Sequence, residues 1–222
     1  MTRGIFIAGN ESTLGRAIEA EVFNKTEQFA SALIPNRLSD TLKTPDDVSD
    51  NERRLSLDWN PSSPISARAL VLAAENRLER IDEAILVCSP PTIRSSPSAL
   101  PFSAVEILVN DHIKGWFFLV KEITAIFKER KHGTLALVYP DINSGKDEAA
   151  DILGPSALAS FRALTNGLLA SAQNEPYITT GFSTSDTGNE AAFASFIFKT
   201  LDELTKRSKG KLHKFGRFSF FK

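Results

Sequence analysis

The chain opens on a short, continuous apolar run, residues 4–8 (Gly-Ile-Phe-Ile-Ala). A turn bracketed by Gly9 and Gly15 then leads into Leu14, Ala17, Ile18 and Val22 at helical spacing. A strand with no polar face is buried on both sides, which places it inside a parallel sheet covered by helices. Parallel strands need a crossover between them, and the helix that follows directly supplies one. This single junction confines the chain to folds in which strands and helices alternate.

The remainder alternates as required. Strands are predicted at 29–34, at 55–57 ending on Asp58, and at 83–87, 134–139, 177–180 and 212–221. Residues 66–80 carry Ala67, Leu70, Val71, Ala74 and Leu78 on one face and predict a helix. A long helix is predicted over 104–131, bent near Gly115. Its middle, Trp116 to Val120, is apolar nearly all round, so it is buried or lies in a subunit interface. Further helices are expected at 155–172, with Pro155 near the first turn, and at 190–206. The polar stretch 40–54 and the proline- and serine-rich 89–101 read as connections. At 222 residues the chain is long enough for one substantial core and short for two. The expected architecture is one α/β domain over 1–222, a doubly wound parallel sheet with helices on both faces.

Charge and composition narrow the function classes. A net charge of -1 gives no general pull toward nucleic acid or an anionic membrane. The exception is the tail, where Lys206, Arg207, Lys209, Lys211, Lys214, Arg217 and Lys222 meet no acid. Phe215, Phe218, Phe220 and Phe221 alternate among them, as in a core or interface strand, and neither nucleic acid nor membrane is expected as a partner. The sole cysteine, Cys88, cannot close an internal disulfide. No run is long enough to span a bilayer, and the apolar start is too short for a signal peptide, so a cytoplasmic location is expected. His112, His132 and His213 have no ligand spacing, and no metal site is expected.

A glycine turn between a strand and a helix lets backbone amides approach a pyrophosphate, which then sits at the helix N-terminus, where the dipole favours negative charge. Gly9, Ser12, Thr13 and Gly15 are the candidates for that role. The same glycines also serve a tight turn kept for backbone geometry alone. Arg16 and Arg37 are candidates for reaching a 2′-phosphate, and both also suit a solvated surface.

In its order of features the chain resembles the short-chain dehydrogenase/reductase family, over nearly its whole length and with each motif degenerate. Ala8-Gly9-Asn-Glu-Ser-Thr13-Leu-Gly15 stands for the family's Thr-Gly-x-x-x-Gly-x-Gly, Thr13 replacing the middle glycine; Arg16-Ala17-Ile18 follows, as in many members. Asp58 matches the adenine contact. Residues 81–87 match the segment before Asn-Asn-Ala-Gly, which here reads Cys88-Ser89-Pro90-Pro91. Asn110 followed by Gly115 matches the helix carrying the family's asparagine, and 133–138 match the fifth strand, with Pro140 and Asp141 where the family keeps its serine.

The resemblance implies a Rossmann-type sheet and NAD or NADP as cofactor, held at Gly9, Ser12, Thr13, Gly15, Asp58 and Ser89. It also implies a homo-oligomer, or a hetero-oligomer with a catalytically competent homologue, built through the helices at 104–131 and 155–172. The departure is the Tyr-x-x-x-Lys pair that transfers the family's proton. Its positions fall on Ala157 and Phe161, and no tyrosine lies between Asp141 and Pro176. The expectation is therefore an oxidoreductase-like chain without the family's catalysis, a structural or regulatory subunit. The alternative is an oxidoreductase with a rearranged acid/base, drawn from Tyr139, Lys146, Asp141 and Asn110. A third class is a ligand-sensing module without turnover.

Overall fold

A computed structural model describes residues 3–25, 28–34, 54–141, 151–205 and 208–216. Seven strands run parallel in one sheet: β1 (Gly4–Ala8), β2 (Gln28–Leu33), β3 (Arg54–Asp58), β4 (Glu83–Val87), β5 (Thr134–Pro140), β6 (Ile178–Thr184) and β7 (Lys211–Phe215). Their order is β3-β2-β1-β4-β5-β6-β7. The chain builds outward from β1 through β2 to β3, then returns to lay β4 on the other side of β1. That return makes β1 and β4 the topological switch point, outside whose carboxyl ends ligands bind in open α/β sheets.

Among the described residues six α-helices cover the two faces: α1 (Thr13–Asn24), α2 (Pro64–Arg77), α3 (Phe102–Val109), α4 (Gly115–Arg130), α5 (Leu153–Ser171) and α6 (Glu190–Asp202). Alternation along each strand sorts the core into two layers. On one face Phe6, Ala8, Leu86, Leu135, Leu137 and Tyr139 meet α2, α4 and α5 through Leu70, Leu119, Ile123, Phe127 and Phe161. On the other Ile5, Ile7, Ile85, Val87, Val138 and Phe182 meet α1 and α6 through Leu14, Ile18, Phe193, Ile197 and Phe198. Strands β1 and β4 are buried at every residue; the apolar runs 4–8 and 84–87 account for this, and the buried Glu83 carboxylate pairs with Arg3 at 3.0 Å.

The boundaries differ from the sequence pattern in places. The predicted 104–131 helix begins at Phe102, and its bend is a π turn over Asn110–Lys114 that joins α3 to α4. The Gly115 amide closes it on the Asn110 carbonyl. A side chain at Gly115 would stand 2.8 Å from Pro61 and 2.9 Å from the Trp59 ring, so glycine lets the helix close against both. Strand β6 runs four residues past its expected end, to Thr184, because each of its residues through Thr184 pairs with β5. Helix α6 stops at Asp202 rather than Lys206, and Asp202 pairs with Arg3 and Lys25 across the amino-terminal edge of the sheet. The polar connection 40–53, Arg37, Lys146 and the tail beyond Gly216 lie outside the described residues.

Candidate functional site

The glycine turn follows β1 directly. Gly9 has φ +90°, in the left-handed region that favours glycine. A Cβ there would lie 1.9 Å from the Val87 carbonyl oxygen, and one at Gly15 would lie 2.2 Å from the Gly9 carbonyl oxygen. Both glycines are thus fixed by backbone packing at the switch point, whatever binds there. Ser12 caps α1: its hydroxyl donates to the Gly9 carbonyl (3.1 Å) and accepts from the Gly15 amide (3.0 Å). Thr13 and Leu14, the first two helical residues, have no carbonyl partner within the helix, so their amides form its mouth. Arg16 donates to the Glu11 carbonyl at 3.1 Å, which lays its guanidinium over the turn.

Asn10 anchors the turn from below. Its Nδ2 donates to Glu19 of α1 at 3.0 Å, and the same carboxylate accepts from the Ser31 hydroxyl on β2 and pairs with Arg54 of β3 at 3.4 Å. One buried carboxylate therefore ties the turn, the helix and two strands together.

Two adjoining hollows form a trough over the carboxyl ends of β1 to β4. The outer one, about 540 Å³, is lined by Asp58, Asn60, Pro61, Ser62, Ile107 and Asn110, among others. The inner one, about 380 Å³, is lined by Gly9, Glu11, Ser12, Thr13, Ser89 and His112, among others. Ile34, Trp59 and Asp111 line both and join them. The trough thus brings together Gly9, Ser12, Thr13, Ser89, Asp58 and Asn110 from the sequence-based set. Gly15 sits beneath it as a packing residue.

Asn110 lines the outer hollow, and its Oδ1 accepts from Lys114 at 3.1 Å. The helix bend uses its carbonyl, which accepts from the Gly115 amide. The residues of the π turn that reach the inner hollow are Asp111 and His112. Sequence reading had no reason to place Trp59, Asp111, His112 or Trp116 here. The one available signal was the position of Trp59, directly after the strand that ends on Asp58.

Tyr139 does not line either hollow. It is 4 % exposed, with the Phe161 ring edge-on at 6.2 Å and the Arg162 guanidinium 5.6 Å from its ring centre. Burial, and then the Asp141 carboxylate, push its hydroxyl above the ordinary value, while Arg162 pulls the other way. A general base needs the opposite shift. Asp141 is engaged by Arg162 at 2.5 Å.

Trp116 walls the inner hollow together with Ser89, Pro90, Pro91 and His112. It is 3 % exposed, and its Cη2 lies 3.2 Å from where a Gly9 side chain would begin. Phe161, 1 % exposed, backs Trp116 edge-on at 5.5 Å, and Ala157 is fully buried one turn earlier on α5. Burial pushes the neighbouring Cys88 thiol far above its ordinary value, the Trp116 indole offsetting a part, so the thiol stays protonated and inert.

No family model matches the sequence, and neither does any curated protein. Solved structures do match. ElxO, solved with NADP bound, superposes with a TM-score of 0.74 at 10% identity, covering 96% of this chain and 97% of that one. A short chain dehydrogenase from Bacillus anthracis gives 0.73 at 11%, covering 96% and 94%, and a serine dehydrogenase from Escherichia coli gives 0.73 at 12%, covering 96% of both chains. The architecture is therefore the Rossmann-like fold of the short-chain dehydrogenases, a single α/β domain around a seven-stranded parallel sheet. No helix among the described residues is long and apolar enough to cross a membrane.

Proposed function

We propose that this chain is a divergent short-chain dehydrogenase/reductase homologue that keeps a nucleotide trough with residual affinity for NAD or NADP and lacks the family's hydride-transfer catalysis. It acts in the cytoplasm as a structural or regulatory subunit. The observation that carries this reading is the fate of the two catalytic positions. Ala157 is fully buried and Phe161 lies in the apolar layer between α4, α5 and the sheet, and neither can move a proton. Supporting the nucleotide half are the capped α1 mouth beside Gly9 and a trough that ends at the switch point.

For assembly we propose the outer faces of α4 and α5, in a homodimer or with a competent homologue. Ser156, Ala159, Ala163, Gly167 and Ala170 are exposed along one face of α5, where another helix can approach closely. Phe117, half exposed on α4, supplies an apolar contact. A catalytic role for Tyr139 gains no support, since its ring is in the core and off the trough.

The test is thermal unfolding of the purified chain with and without millimolar NAD(H) and NADP(H), together with its mass in solution. A ligand in hundredfold excess over its Kd adds about 2.7 kcal/mol of stability, a readily measured shift. An upward shift without turnover supports the proposal. Reduction of NAD(P) with any substrate at a rate abolished by Tyr139→Phe would overturn it.

A further inference from the structure

We propose that the joint between α3 and α4 forms a seat for a sugar ring, in which the Asp111 carboxylate accepts from two neighbouring hydroxyls and Trp59 walls the ring. The ligand class is a molecule carrying a vicinal diol on a sugar, either a free sugar phosphate or the ribose of a nucleotide. The inference goes beyond the nucleotide reading, because it stands on the π turn and not on the glycine turn.

Each residue of a regular α-helix turns the chain by about 100°, so three consecutive side chains spread over more than half of its circumference. Asn110, Asp111 and His112 are consecutive, yet all three line the trough. Asn110 reaches the outer hollow, His112 the inner one, and Asp111 both. The widened turn between α3 and α4 makes this possible. It closes through the Gly115 amide on the Asn110 carbonyl, five residues back, and glycine at 115 lets it sit against Trp59 and Pro61. Such turns interrupt the helical ladder and recur at functional sites.

Asp111 is only 5 % exposed, and it shares the junction of the two hollows with Trp59 and Ile34. A carboxylate offers two oxygens and about four acceptor sites, enough for two adjacent hydroxyls. Hydrogen bonds to a charged acceptor are stronger than neutral ones, and a buried setting strengthens them further. The Trp59 indole supplies a flat apolar wall for the C–H face of the ring. Asn60 and Ser62 stand beside Asn110 in the outer hollow, and Ser89 stands with His112 in the inner one. The seat is thus flanked on both sides by groups that pair with further hydroxyls.

The experiment is calorimetric titration of the intact chain with two pairs of ligands. One pair is ribose 5-phosphate and 2′-deoxyribose 5-phosphate; the other is ADP and 2′-deoxy-ADP. Each deoxy ligand is expected to bind about tenfold more weakly than its counterpart. Asp111→Asn is expected to weaken the hydroxylated ligand about tenfold and to leave the deoxy ligand unchanged, with the unfolding temperature followed alongside. Diol-dependent binding in both pairs would support a seat for which a free sugar phosphate suffices, and in the ADP pair alone a seat for a nucleotide's ribose. Diol-dependent binding of ribose 5-phosphate without binding of ADP would keep the seat and overturn the nucleotide reading. Equal binding of ADP and 2′-deoxy-ADP would overturn the seat and keep the nucleotide reading, and so would an unchanged ADP affinity in a folded Asp111→Asn protein. Absence of binding by all four ligands would overturn both. The deoxy comparison uses the parent chain and decides the matter even where the variant does not fold.

Discussion

Phe161 stands edge-on to Trp116, ring centroids 5.5 Å apart and planes at 70°. This is a favourable aromatic geometry. The pair joins α5 to α4 beside the inner hollow, which makes Phe161 part of the core.

Phe161→Ala is expected to lower stability by about 3–5 kcal/mol, read from urea unfolding, because the Trp116 and Tyr139 rings cannot both collapse into the space left. Phe161→Lys is expected to be at least as damaging, since it buries an unpaired charge. A Phe161→Lys protein as stable as the parent would mean that this wall is pliable.

Gly9→Ala tests whether the glycine is there for the fold. The left-handed backbone alone sets a loss of at least about 1 kcal/mol, and the Val87 carbonyl oxygen, 1.9 Å from the new Cβ, adds to it. The loss is expected in denaturant melts with no nucleotide added. A variant that keeps its stability and loses only nucleotide binding would assign the glycine to the ligand instead.

Glu19→Ala strips the carboxylate shared by Asn10, Ser31 and Arg54. Each buried polar group left without a partner costs about 1–3 kcal/mol. Because Asn10 belongs to the turn, amide exchange is expected to quicken at residues 10–15 first. Uniform quickening across the sheet would show that the network is global rather than local.

His213 on the edge strand β7 stacks on Phe182 at 5.2 Å. Burial, and then the charge of Lys211, hold its pKa below the ordinary 6.5. The unfolded chain therefore takes up the proton first. Stability from this residue is present above pH 6.5 and is lost as pH falls through 6.5 toward the depressed folded value. The urea midpoint measured from pH 8 to pH 5 is expected to drop more in the parent than in His213→Gln. Equal drops would assign the acid sensitivity to other groups.

The sequence by itself determined the sheet. Unbroken apolar runs at 4–8 and 84–87 read as doubly buried parallel strands, and helical and strand patterns alternate along the chain, so element order and fold class follow from local periodicity. It also determined that α5 carries no tyrosine, since none lies between Asp141 and Pro176.

Only the tertiary structure decided the site. Asp58, Asp111 and Ser89 are far apart in sequence and meet because β4 returns beside β1. Tyr139 looked available at a strand's end, yet strand alternation turns it onto the face covered by α5. The π turn moves Asn110 to the outer hollow and brings Asp111 and His112 to the inner one, a rotation that helical spacing does not encode. The glycines of the turn carried an ambiguous message, because backbone packing and phosphate binding both demand them. Local pattern fixes which residues form an element and which face is apolar; the position of a side chain relative to another element depends on how those elements pack.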